Sequence, residues 1–214
     1  VEDQADVRTR ALEAATRLFA TAGFDGTSLQ SVAEVVGVAR PTLVYHFGTK
    51  DGLRDAVLDR LLGRWQSELP AILAAATTGK DRFRGAVGAL LGFFRADPHR
   101  ARLLVREILD RPEVVRARFE RHLRPWTPLL VGYVDRGRAE GRVHAQVDAE
   151  AWILQLLVAA VGTLSTGTVA AAMFADPPDV DRQLAELVRI AEASLFRVRS
   201  DATPPSAPAR RSSA

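Results

Sequence analysis

The 214-residue sequence predicts an all-α protein, with a small N-terminal three-helix head followed by a larger helical body. Three observations predict it. Apolar residues recur with the helical period along nearly the whole chain, no alternating strand pattern occurs, and glycine or proline breaks cut the chain into helix-length pieces. The balance of 47% apolar and 26% charged residues is that of a folded chain able to bury a sizeable core. The sequence holds no cysteine, which excludes disulfides, zinc–thiolate sites and cysteine nucleophiles.

Val7, Ala11, Ala14, Ala15, Leu18 and Ala22 form one helical face that ends at Gly23. Asp25-Gly26-Thr27 then reads as a turn closing in a capping box, with Thr27 accepting from the first helical turn and Gln30 reaching back. A second helix over 28–36 turns Leu29, Val32, Ala33 and Val36 inward and closes at Gly37. Pro41 suits the first turn of a short third helix that runs to Phe47. Thr49 caps a fourth helix beginning at Lys50.

Later breaks predict helices over about 80–97, 98–110, 112–138, 148–175 and 179–199. The domains expected are 1–55, 56–199 and a Pro/Ser/Ala-rich disordered tail over 200–214. The chain begins at Val1, so trimming of an initiator methionine is expected. Residues 1–10 lack the apolar stretch of a signal peptide, which leads us to expect a cytoplasmic location. Residues 151–175 carry no charge and are long enough to cross a bilayer. Polar interruptions and the lack of basic or aromatic girdles at both ends favour a helix buried within a bundle or a dimer, with no membrane partner.

The first three helices have the form of a helix-turn-helix with a supporting helix in front. Such a unit lays its short last helix in the major groove of double-stranded DNA. Leu43 and Phe47, four apart, face the core with Val44 beside them, while Arg40, Thr42, Tyr45 and His46 point outward as a binding surface.

The run Gly37-Val38-Ala39-Arg40-Pro41-Thr42-Leu43-Val44-Tyr45-His46-Phe47-Gly48-Thr49-Lys50, with Leu18-Phe19, Gly23-Phe24, Thr27-Ser28 and Val32-Ala33 before it, resembles the DNA-binding head of the TetR family of bacterial transcriptional regulators. The resemblance covers residues 7 to 55. It implies that Thr27 and Ser28 donate to phosphate and that Gln30, Arg40 and Thr42 reach base edges. It also implies that Pro41 packs on a thymine methyl, that Tyr45 and His46 clamp phosphates or the groove wall, and that Lys50 pins the DNA backbone. Two positions depart from the family pattern: Val44 stands where tyrosine is common, and Ala39 where a serine cap is common, a loss of about 1 kcal/mol.

Residues 1–55 hold six bases (Arg8, Arg10, Arg17, Arg40, Lys50 and Arg54) against eight acids, a net charge of −2. No strong nonspecific footprint on DNA is therefore expected, and Arg8 and Arg10 are read as reaching outward.

From residue 56 onward the resemblance implies an effector-binding and dimerisation domain. The helix over 148–175, uncharged from 151 onward, and the amphipathic 179–199 helix are the faces expected to pair with a second copy, with Ala159, Ala160, Gly162 and Gly167 allowing close approach. An apolar or amphipathic small-molecule effector is expected among Trp65, Phe93, Phe94, Leu104, Trp126, Tyr133, Gln155 and Thr163. Arg102, Arg106 and Glu107 are read as solvated surface. Ligand binding would shift the heads off a near-palindromic operator, the action of a repressor.

The four histidines are scattered and no catalytic signature occurs, so no enzyme, metal or cofactor is expected. The alternative is a small-molecule or protein-binding helical module that no longer binds DNA.

Overall fold

Ten α-helices and two short 3-10 turns make up the described residues of the computed structural model: α1 (Glu2–Ala22), α2 (Leu29–Val36), α3 (Arg40–Phe47), α4 (Lys50–Ala75), α5 (Gly79–Arg95), α6 (His99–Asp110), α7 (Pro112–His122), α8 (Thr127–Ala139), α9 (Ala149–Ala170) and α10 (Val180–Leu195). Residues 2–75 and 79–197 are described, with side chains from 6 to 64 and from 81 onward. The expected tail over 200–214 and the side chain of Trp65 lie outside them.

The head closes around Phe19, Val32, Ala33 and Leu43, all fully buried, and α1 supplies the largest share of the cluster. One member comes from the body: Leu103 on α6, also fully buried, completes the head core. The expected boundary at 55/56 falls inside α4, which continues unbroken from head to body.

The first capping box lies one residue later than expected. Ser28 is the N-cap of α2, its hydroxyl accepting from the backbone N–H of Ser31 at 2.9 Å while Ser31 Oγ accepts from Ser28 N–H at 3.0 Å. Thr27 is instead buried, and its hydroxyl donates to the Gly23 carbonyl at 2.8 Å. The reason is that Thr27 N–H already closes the turn on Phe24 O, which turns the side chain back over the end of α1. Thr49 caps α4 as expected, accepting from Gly52 N–H at 3.0 Å.

Two body elements depart from expectation. The single helix read over 112–138 breaks into α7, a 3-10 turn at Arg124–Trp126, and α8. Pro125 and Pro128 remove backbone donors and clash with a continuing helix. The last helix stops at Leu195 instead of 199, because the chain straightens there. Val143 and Phe196 form an antiparallel bridge, with His144 N–H donating to Leu195 O at 3.1 Å and Arg197 N–H to Arg142 O at 2.9 Å.

Two apolar clusters fill the body. One gathers Leu61, Leu62, Phe93, Phe94, Leu104, Val115 and Val161; the other is built around Phe83, Val134, Val143, Leu184 and Leu195. Leu90 and Leu164 touch both.

Within the single chain α9 is far from buried on all sides. The stretch Ala149–Met173 is long and apolar enough to cross a membrane, yet only 22% of its most apolar window is buried. Ala160 and Gly167 turn inward rather than toward a second copy. A Cβ on Gly167 would fall 2.5 Å from Gln183 of α10, so this glycine allows close approach between neighbouring helices of one chain.

Candidate nucleic-acid interface

α3 is held by one fully buried anchor, Leu43, with Phe47 half-buried beside it. Its other residues are left outward. Arg40 and Pro41 are exposed, Thr42 and His46 are half-buried, and Tyr45 is 76% exposed. The Tyr45 and His46 rings meet edge to face at 5.3 Å, which limits the orientations of both. Val44 lies on the outer side too, 40% exposed, contrary to its expected place beside the core. On a helix this short only Leu43 and Phe47, one turn apart, fit the inward stripe.

The N-terminus of α3 has no side-chain cap, since Ala39 stands at that position. Thr42 N–H bonds the Ala39 carbonyl at 2.9 Å, and Pro41 has no N–H to satisfy, so the first turn forms without a serine.

The nine expected DNA-contacting residues divide in two. Arg40, Pro41, Thr42, Tyr45 and His46 share α3, and the exposed Ser28 and Gln30 open α2. The Ser28 hydroxyl is occupied by its cap, and Gln30 Nε2 donates to Glu34 at 2.9 Å along the same helix. The first backbone N–H groups of α2 have no partner within the helix and remain the phosphate donors of this segment.

Thr27 and Lys50 do not join the surface as expected. Both Thr27 donors are taken within the chain, as described above. Lys50 Nζ donates to Phe24 O at 2.9 Å and sits 4.1 Å from the centre of the Phe24 ring. Arg54 and Arg111 lie against the same ring, each at 4.5 Å. Asp51 offsets part of this charge, 3.0 Å from Arg54 and 3.9 Å from Arg111. Arg8 and Arg10 are both exposed: Arg10 pairs with Asp6 at 3.3 Å and donates to Val36 O, and Arg8 lies over the Phe47 ring at 5.6 Å.

The head meets the body through a polar seam. Arg118 of α7 reaches Asp55 at 2.8 Å and Asp59 at 3.2 Å, and His122 reaches Asp59 at 3.3 Å. Glu107, read from sequence as solvated, is buried with Oε2 lacking a hydrogen-bond partner. Burial pushes its carboxyl above the ordinary value, with Arg54 and Arg111 opposing. Gly23 is required at this seam: its φ is +81° and a Cβ there would fall 2.5 Å from the Arg106 guanidinium. Sequence periodicity carried a signal for both: Arg54 lies one turn before the buried Val57 and Leu58, and Glu107 one turn after the buried Leu103 and Leu104, so each charged residue interrupts an apolar stripe.

The expected effector residues do not converge. Phe93, Phe94 and Leu104 share one cluster, with the two phenylalanine rings 5.0 Å apart. Tyr133 packs against the other, its hydroxyl held in the protonated form to higher pH by burial. Thr163 is half-buried, and Trp126 is half-buried with its indole N–H unpartnered. Gln155 is exposed on α9, near Leu154 and Val158, and faces away from both clusters. A cleft of about 380 Å³ lies elsewhere, lined by Val131, Asp135, Arg138 and 146–150, and includes none of the eight.

Comparison with known proteins agrees with this geometry. The model for bacterial regulatory proteins of the tetR family matches residues 11–57. The transcriptional activator FasR of Mycolicibacterium smegmatis is 32% identical over 97 residues, covering 45% of this chain and 44% of its own length. The transcriptional repressor KstR2 of the same organism is 26% identical over 155 residues, covering 67% of this chain and 70% of its own. The solved structure of the fatty acid degradation regulator FadR from Bacillus halodurans shares the fold, with a TM-score of 0.71 at 16% identity, covering 89% of this chain and 97% of that one.

Proposed function

We propose that this chain, whose residues 11–57 match the tetR family model, is a TetR-like cytoplasmic homodimeric repressor, released from a near-palindromic operator by an apolar or amphipathic small molecule. The observation that supports groove binding best is the outer face of α3, where a 76% exposed tyrosine stands with Arg40, Pro41 and His46 over a fully buried leucine anchor. An exposed ring on so short a helix is stabilised when it meets DNA.

Repression accords with KstR2, the relative matched over more of this chain than the activator FasR. The dimer is supported by α9, whose Leu154 and Val158 are each 56% exposed, and by Ile190 of α10. Covering them with a second copy would set two heads on two half-sites.

The effector is proposed to enter where the two body clusters meet, at Leu90 and Leu164. Widening that seam would part α5 from α9, and through Leu104 and Leu103 on α6 it would reach the head. The apolar lining supports a ligand of apolar character, in keeping with FadR being a regulator of fatty acid degradation.

Fluorescence anisotropy with the DNA upstream of the coding sequence, against scrambled DNA at two salt concentrations, tests the reading. Selective, salt-sensitive binding is expected. Tyr45→Ala should weaken it roughly tenfold on every sequence, while Arg40→Ala should cost about 1–3 kcal/mol on the operator alone. Fragments of the whole genome extend the test to distant operators. Absence of selective binding on any of them would favour the DNA-blind module.

A further inference from the structure

The outer side of α3 carries two rows of side chains, each spaced by one turn: Arg40 and Val44 on one, Pro41 and Tyr45 on the other. Val44 is the member that the fold does not explain. It is 40% exposed and joins no apolar cluster, whereas its neighbours Leu43 and Phe47 hold the helix to the head core. A β-branched side chain also loses rotamer freedom on a helix, so at this position it adds little packing and weakens the local helix. A polar residue would serve the solvent side of a helix better. Such a departure, with no gain in the fold, is expected where a partner sets the residue.

The approach to Val44 is open. Its row ends at Gly48, which has no side chain, and no other part of the described chain lies within 4 Å of where a Cβ would stand there. A partner can therefore reach the valine methyls directly. Valine offers two methyl groups and neither a donor nor an acceptor. Base edges in the major groove are polar except at the 5-methyl group of thymine, so thymine is the base that a valine there favours. Cytosine, the other pyrimidine, has no methyl at that carbon and presents an amino donor that valine leaves unpaired.

We propose that Val44 is a specificity-determining residue, selecting a thymine in each half-site by packing on its 5-methyl group. The assignment rests on the reading of α3 as a groove-binding helix. It is a different contact from the thymine methyl implied for Pro41, which stands on the other row. Arg40 and Val44 then read the groove from one row by opposite means, a charged donor toward a polar base edge and an apolar surface toward a methyl.

Selection from a pool of random-sequence DNA by the full chain supplies the half-site for the test. Replacing its thymines one at a time by deoxyuridine deletes a single methyl group and leaves the pairing edge intact. In fluorescence anisotropy, one such replacement per half-site should weaken binding by the parent protein about fourfold, the worth of one buried methyl. The same replacement should change binding by Val44→Ala less than about twofold, because its partner methyls are gone. Val44→Ala keeps the fold, since the position is exposed and alanine favours a helix. A thymine packed on Pro41 keeps its sensitivity in Val44→Ala, which separates the two residues. The assignment is overturned by a half-site that tolerates deoxyuridine at every thymine. It is overturned equally if every sensitivity survives unchanged in Val44→Ala. A pool that yields no preferred sequence removes the regulatory reading along with it, so the two failures look different.

Discussion

The head and the ninth helix both leave apolar side chains exposed, but in different company. On the head the exposed set is Val35, Val44 and Tyr45, set among Arg40, Thr42, His46 and Gln30. On α9 and just after it the set is Leu154, Val158, Val169, Met173 and Phe174, within a stretch that carries no charge from 151 to 175. Polar neighbours suit a wet, charged partner such as DNA, whereas an uncharged face suits a dry one, such as the same face of a second copy. Exposure of a hydrophobic residue thus identifies its partner only when read with the residues around it.

The largest effect is expected where the head has no exposure at all. Phe19→Ala should destabilise the protein by about 3–5 kcal/mol in chemical unfolding, because the ring is fully enclosed in a close-packed cluster. A loss below about 1 kcal/mol would mean that the head core repacks freely, against its fixed shape.

The matching substitution on α9 should behave in the opposite way. Leu154→Arg with Val158→Arg should leave monomer stability within about 1 kcal/mol, as for exposed positions in general. It should convert a dimer to a monomer in light scattering. A stability loss comparable to that of Phe19→Ala would place these side chains inside the fold of one subunit instead.

The smallest effect is expected at the seam between the two regions, and it depends on pH. The folded pKa of Glu107 is raised above 4.5, so its stabilising contribution is complete below that value and is lost as pH rises through the folded pKa. Glu107→Gln removes this loss. Its melting temperature should gain on the parent protein as pH rises from 4.5 through the folded pKa, and the gain should level off above it. A constant difference between the two would show that Glu107 titrates as an ordinary surface carboxyl.

Much of this architecture was legible in the sequence, for identifiable reasons. The faces of α1 and α2, the Gly37 stop and the Pro41 start are local signals, and each appears within a residue or two. The Thr27/Ser28 choice of cap was not decidable locally, since both residues offer a hydroxyl and only the turn at Phe24 selects between them. The break between α7 and α8 was readable from Pro125 and Pro128, each of which removes a backbone donor. Of the interface residues, those on α3 could be placed because a short helix with one anchor has one outer side. Lys50 could not, because its partner Phe24 lies 26 positions away. The effector residues were least legible: an aromatic ring in a core and one in a pocket carry the same periodicity, and Gln155 differs only in which side of α9 it takes.

Leu103 has a consequence for modularity. Because a fully buried residue of α6 belongs to the head's hydrophobic cluster, the helix-turn-helix unit is not a cassette that ends at residue 55. A chimera joined there would put a foreign side chain into that socket, or leave it vacant, and recombination between relatives is constrained accordingly. Drift at position 103 must keep step with Phe19, Val32 and Leu43. An interchangeable reading head would therefore have to carry its α6 along, although the helix-turn-helix itself is complete at Phe47.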